Sequence, residues 1–152
     1  MALKLPSRNE TFKVVLRLDS AIGCQPDDYD RYLDTLDESV LQLQEEPTRF
    51  VMRKVLPYRL ASGVQDKQFS FKKGEVEVRS SFMLEEVRCS IVGIENPPHL
   101  SSDERLEFKA DGDGGASEDL MAVLGASGLV MDLYRARQTA NGNRNEHAVK
   151  KK

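Results

Sequence analysis

Between Thr11 and Asp19 the chain alternates Phe12, Val14, Leu16 and Leu18 with Lys13, Arg17 and Asp19. A period of two puts one set of side chains on each face of an extended segment, so this stretch predicts a half-buried strand and commits the fold to a sheet. Directly after it the period changes. From Asp27 to Gln44, Tyr29, Tyr32, Leu33, Leu36, Val40, Leu41 and Leu43 recur mostly at three- and four-residue intervals, which predicts a helix interrupted near Asp37.

Proline and glycine then cut the remainder into short pieces. Pro47 ends the acidic helical segment, and Thr48–Leu56 reads as a second strand. Pro57 suits the first turn of a helix over Tyr58–Lys67, where its missing N–H is no loss. Gln68–Ser80 reads as a hairpin turning at Lys72-Lys73-Gly74. Ser80 and Ser81 can cap a helix from Phe82 to about Ile94, whose apolar residues Phe82, Leu84, Val87, Ile91 and Ile94 fall near one face, until Asn96-Pro97-Pro98 stops it. Ser101 and Glu104 have the capping-box spacing ahead of Leu106 and Phe108, predicting a short helix or turn. The glycine-rich run Asp111–Ser117 reads as a flexible connection. Glu118 to about Ala140 predicts the longest helix, weakened in the middle by Gly125 and Gly128.

These readings give an α+β fold: three to four short strands in a small antiparallel sheet or hairpins, with about four helices. The chain has 152 residues, the size of one domain. It divides into an N-terminal arm (1–10), a single domain (11–140) and a basic tail (141–152) that is disordered or ordered by a partner. Hydrophobic residues make up 39% and charged residues 31%, against roughly 45–50% and about 25% in an average domain. That balance predicts a thin core or one completed by a partner. A net charge of −3 argues against a dedicated nucleic-acid binder, which needs a basic face. With no apolar run long enough for a signal peptide or a membrane span, the expected protein is soluble and stays where it is made. Cys24 and Cys89 lie far apart in sequence, in contexts that do not suit a disulfide framework.

Candidates for chemistry fail one at a time. The two histidines, His99 and His147, have no partner at a readable spacing, so neither is expected to be a ligand or a base. Gly112–Gly115 lacks the Lys-Ser/Thr of a phosphate loop. Asp111 and Asp113 imitate the start of a calcium loop, but Ala116 stands where the sharp turn needs Gly and Ala122 where a bidentate Glu belongs. Arg49, Arg53, Lys54 and Arg59 around Phe50 and Tyr58 would suit single-stranded nucleic acid, yet a strand followed by a helix produces the same pattern. The expectation is therefore a protein that is not an enzyme and carries no cofactor and no metal.

Charge is segregated along the chain. Asp27, Asp28, Asp30, Asp34, Asp37, Glu38, Glu45 and Glu46 face one base, Arg31, whereas Arg135, Arg137, Arg144, Lys150, Lys151 and Lys152 face Glu146 alone. The two segments can pair within one molecule, pair head to tail between copies as a homo-oligomer, or stay solvated. The expected interface combines Tyr29, Tyr32 and Leu36 with Asp34, Asp37 and Glu38, and adds Val130, Leu133, Tyr134, Arg135 and Arg137 from the last helix, because aromatic anchors flanked by charge are typical of interface centres.

From Glu46 to Lys152 the chain resembles small tailed-bacteriophage proteins encoded among the tail genes, particularly tail assembly chaperones. The likeness lies in Pro47-Thr48-Arg49-Phe50 leading into a charged strand, a short helix, a segment ending Val87-Arg88-Cys89-Ser90-Ile91-Val92-Gly93-Ile94-Glu95-Asn96, and a final helix with a basic tail. The resemblance implies a non-enzymatic protein of the host bacterial cytoplasm that engages tail components, the tape measure or the tail tube. The predicted strands make this chain richer in β-structure than such proteins, which leaves room for a structural virion protein such as a tail-terminator, head-to-tail joining or other tail subunit.

Overall fold

A computed structural model describes residues 3, 5–72, 75–78 and 81–142. The fold is α+β. In chain order it contains β1 (Thr11–Val14), α1 (Pro26–Thr35), a 3-10 helix (Glu38–Leu41), β2 (Arg49–Arg53), α2 (Tyr58–Gln68), β3 (Phe69–Lys72), β4 (Glu75–Val78), α3 (Ser81–Ser90), β5 (Ile91–Glu95), α4 (Glu118–Ala126) and α5 (Val130–Ala140). β2 is the middle of a three-stranded antiparallel sheet in the order β1–β2–β5, and β3 and β4 form a separate hairpin. No helix among the described residues is long and apolar enough to cross a membrane.

The first strand is half as long as its alternation predicts. Val14 pairs with Phe50, but Val15 has left the ladder and Val14, Val15 and Leu16 are all buried, while Leu18 is 69% exposed. The cause is α1. Val15 donates its N–H to the Tyr32 hydroxyl at 3.0 Å, and the Tyr29 hydroxyl donates to the Val15 carbonyl at 2.8 Å. Two phenols thus satisfy both backbone groups of a residue that has no strand partner.

Helix α1 starts at Pro26, with Asp27 and Asp28 at its positive end, and stops at Leu36, which adopts a left-handed conformation (φ 56°). Asp37 begins the 3-10 helix by accepting the Ser39 N–H at 3.0 Å, so the interruption expected near Asp37 is a change of helix type. The stretch 91–95 corrects the sequence reading: it is strand β5, not the end of α3. Phe50 pairs with Ile94 and Val51 with Gly93, but Met52 pairs with Ile91, so Val92 is a bulge. One extra residue lets Ile91 and Ile94, three apart, both face the core. That spacing imitates a helix.

The expected long C-terminal helix is two. α4 is capped by the Ser117 hydroxyl, which accepts the Leu120 N–H at 3.3 Å, and the chain turns at Gly128 (φ 70°) before α5. A side chain at 128 would meet no atom within 4 Å, so only the backbone conformation opposes one. Gly128→Ala is expected to cost about 1 kcal/mol in a urea unfolding titration. The capping-box pair Ser101/Glu104 leads to a turn and no helix: Pro98 accepts the Leu106 N–H (2.9 Å) and Glu104 the Leu100 N–H (2.6 Å), closing a small hairpin through a His99–Arg105 bridge.

The main core gathers Val14, Val15, Phe50, Met52 and Ile91 from the sheet side with Tyr29, Tyr32 and Leu33 of α1, Val87 of α3, Leu120 and Leu124 of α4, and Leu133 and Ala136 of α5. A second, smaller cluster holds Leu60 and Val64 of α2 against Cys89 of α3, with Leu56 and Phe82 beside it. Cys89 is 1% exposed, and burial pushes its thiol up to about 11, whereas Cys24 is half-buried. Native protein treated with iodoacetamide near pH 8 is expected to label at Cys24, with Cys89 slower by about a hundredfold until denaturant is added, as peptide mass spectrometry would show.

Candidate protein interface

The structure redistributes the residues expected to form an interface. Tyr29, Tyr32 and Leu133 are core residues, so they are not available as surface anchors. Burial drives both phenols upward, that of Tyr32 to about 12. Leu36 and Val130 are half-buried against the same core. Tyr134, also half-buried, meets Phe82 edge-on with ring centroids 6.2 Å apart. Asp37 is exposed and spends its carboxylate on Ser39, while Glu38 pairs with Arg49 at 2.8 Å.

Acidic and basic helices meet within the molecule. Asp30 receives Arg17 at 2.8 Å and Arg135 at 3.3 Å, and Asp34 lies 3.7 Å from Arg135. Arg17 also reaches Asp132 at 3.4 Å and stacks over the Tyr29 ring at 4.6 Å. The hydrogen bond from Arg17 holds the Asp30 carboxyl below the usual carboxylate range. Together with the Thr139 hydroxyl donating to the Leu33 carbonyl at 2.6 Å, this network fixes α5 along α1. Arg137, two residues on from Arg135 and facing the other side of α5, is buried; it donates to the Arg53 carbonyl at 2.6 Å and faces Glu86 at 3.5 Å. Desolvation lowers the Arg137 pKa and raises that of Glu86, so each is pushed toward its neutral form despite the pairing.

The glycine-rich run is not a loose connector. Its turn is closed by the Asp111 N–H donating to Gly115 (2.8 Å), and the Ala116 N–H donates to the Arg88 carbonyl at the end of α3 (2.8 Å). The Arg88 guanidinium reaches back to Asp113, to the Ala116 carbonyl (3.3 Å) and to Glu85 (2.7 Å). Arg88 depresses the Asp113 carboxyl to about 2. A Cβ at Gly115 would lie 2.6 Å from this guanidinium, so a larger residue there would have to displace the end of the Arg88 side chain. The acids that imitate a calcium loop are thus engaged by an arginine, and no group of three or more His, Cys, Asp or Glu able to hold a metal occurs among the described residues.

An open groove of about 590 Å³ lies between two walls. One is the 96–106 hairpin with Pro97, Pro98, His99, Leu100 and Arg105; the other is formed by Leu18, Asp19 and Ser20 with Glu45, Glu46 and Thr48. Phe50, Leu106 and Leu124, from the main core or packed against it, also line it, as do Val123 and Leu129 at the α4–α5 corner. Polar bonds hold the walls in place. Asp19 accepts the N–H groups of Thr48 (2.8 Å) and Ala21 (2.9 Å), the Thr48 hydroxyl donates to the Asn96 carbonyl (2.7 Å), and the Asn96 amide donates to the Glu46 carbonyl (3.0 Å). Sequence reading missed this groove because its lining comes from four separated stretches. The one local signal was Leu18, an apolar residue at the end of an alternating run that the sheet does not cover.

A second exposed feature is the α2–α3 unit. Among the described residues its cluster buries Leu60, Val64 and Cys89, while Tyr58 stands 90% exposed on α2 and Leu84 47% exposed on α3. Compared with protein-family models, with curated proteins and with solved structures, the chain matches none of them.

Proposed function

We propose that this chain is a non-enzymatic assembly protein that works by protein–protein contact, binding a tail component, the tape measure or the tail tube, in the cytoplasm of a bacterium infected by a tailed phage. The observation that supports this reading is the α2–α3 unit. Among the described residues, the cluster shared by α2 and α3 buries Leu60, Val64 and Cys89, and a cluster of that size gains little from its own packing. An aromatic residue as exposed as Tyr58 on such a unit is the composition of an interface centre. The setting in phage tail assembly rests on the segment order from Glu46 to Lys152.

The three-stranded sheet favours a second reading, a structural virion subunit. β1 and β5 are both edge strands, and open edges suit strand addition between neighbouring subunits.

Quantitative mass spectrometry of affinity captures from the producing lysate, run beside purified particles, separates the two. The chaperone reading expects capture of a long helical tail protein from lysate and absence from particles. It also expects that changing Tyr58 and Leu84 together to Ser reduces the capture by about tenfold. Tens of copies in particles would establish the virion subunit instead, and absence from both would overturn the phage setting.

A further inference from the structure

We propose that the groove receives the basic C-terminal segment of a second copy of this chain, joining copies head to tail. The chemistry of groove and segment is complementary. Phe50, Leu106 and Leu124 give the groove an apolar lining, and its rim carries the exposed carboxylate of Glu45 together with Asp19, which also accepts two backbone N–H groups, and Glu46, which Arg49 already pairs, against the guanidinium of Arg105. Residues 143–152, which lie outside the described residues, supply Ala148-Val149 followed directly by Lys150, Lys151 and Lys152. A small apolar pair enters the groove while the lysines meet the acidic rim. At about 590 Å³ the groove is the size of a cleft for a short segment.

The segment leaves from a different part of the fold than the groove. The Asn141 side chain donates to the Lys54 carbonyl at 3.4 Å, so the segment departs beside the C-terminal end of β2. The groove is built around Thr48 and Phe50 at the opposite end of that strand. The two lie about 20 Å apart along β2. A donor at one end and an acceptor at the other make a heterologous contact, which propagates from copy to copy. A contact this small is weak and salt-dependent, because its charge pairs sit at a solvated rim. This inference is independent of the phage setting.

Sedimentation analysis of three proteins tests it: the full chain, the chain ending at Gly142, and the full chain carrying Leu18→Lys with Glu45→Lys. Leu18 and Glu45 are exposed, so the fold tolerates both changes. The full chain is expected to show a mass that rises with concentration and falls to the monomer at about 0.5 M NaCl. Truncation should abolish association, and the groove variant should weaken it by at least about tenfold. An equal mixture of the truncated chain and the groove variant should yield a species that stops at two chains, since only one groove and one segment remain. A full chain that stays monomeric at every concentration would overturn the proposal, including the case in which the segment folds onto its own groove. Association by the truncated chain equal to that of the full chain would overturn it too, as would a mixture that forms no pair.

Discussion

Tyr29→Phe combined with Tyr32→Phe is expected to lower the unfolding free energy by about 3 kcal/mol, because each change leaves one buried backbone group of Val15 without a partner. The rings remain, so packing against Leu33 and the sheet is kept and the loss reports the hydroxyls. In a urea titration the midpoint should fall by about 1.5–2 M with an unchanged slope. A loss equal to that of either single change would show that the two bonds act as one unit around Val15. The same pair sets an alkaline limit. Both phenols are raised above the ordinary value of 10 by burial, Tyr32 to about 12 and Tyr29 further. The unfolded chain therefore loses these protons first. Their contribution is complete below pH 10 and is lost as pH climbs through 12 and beyond. Stability measured between pH 10 and 12 should fall more steeply for the native chain than for the double variant; parallel curves would show that the phenols do not govern this limit.

Arg88→Ala is expected to cost about 3 kcal/mol. The Arg88 side chain is 17% exposed and bridges Glu85, Asp113 and the Ala116 carbonyl, so its removal leaves the largely enclosed Glu85 carboxylate without this cation and unties the glycine-rich turn. Arg88→Lys should recover less than half of the loss, because a single ammonium cannot present the planar fork that spans two carboxylates. Hydrogen exchange locates the effect. The amides of Gly114 and Ala116, which donate to Asp111 and Arg88, should exchange at least about tenfold faster in the alanine variant, with those of β2 unchanged. Uniform acceleration throughout the molecule would mean that the turn and the core open together. The acid limit has the opposite sign to the alkaline one. Asp113 is held at about 2, below its ordinary 3.8, so its contribution is present above pH 4 and disappears as pH falls from 4 toward 2.

Much of the secondary structure was legible because punctuation and period are local. Pro57 directly precedes α2, β3 and β4 form the hairpin expected over Gln68–Ser80, and the interruption at Asp37 is a helix cap. Ile91 and Ile94 were misread for a physical reason: a bulge at Val92 gives a strand the three-residue spacing of a helix, and only pairing with β2 distinguishes the two. The glycine-rich run shows the same limit. Its composition permits freedom, but Arg88, twenty-five positions from Asp113, removes it.

The interface residues were less legible. A tyrosine flanked by aspartates has the same local pattern whether its ring faces a partner or its own core. Tyr29 and Tyr32 face the core because Val15, fourteen and seventeen positions away, needs their hydroxyls. The groove was invisible in sequence, since its walls come together only when Asp19, Thr48 and Asn96 bond to one another across the fold. By itself, then, the sequence determined the α+β class, most element positions and the segregation of charge, all of which depend on neighbours in the chain. The tertiary structure alone decided where strands end, which aromatic residues are buried and which charges are already paired, because each depends on a partner supplied from far along the chain.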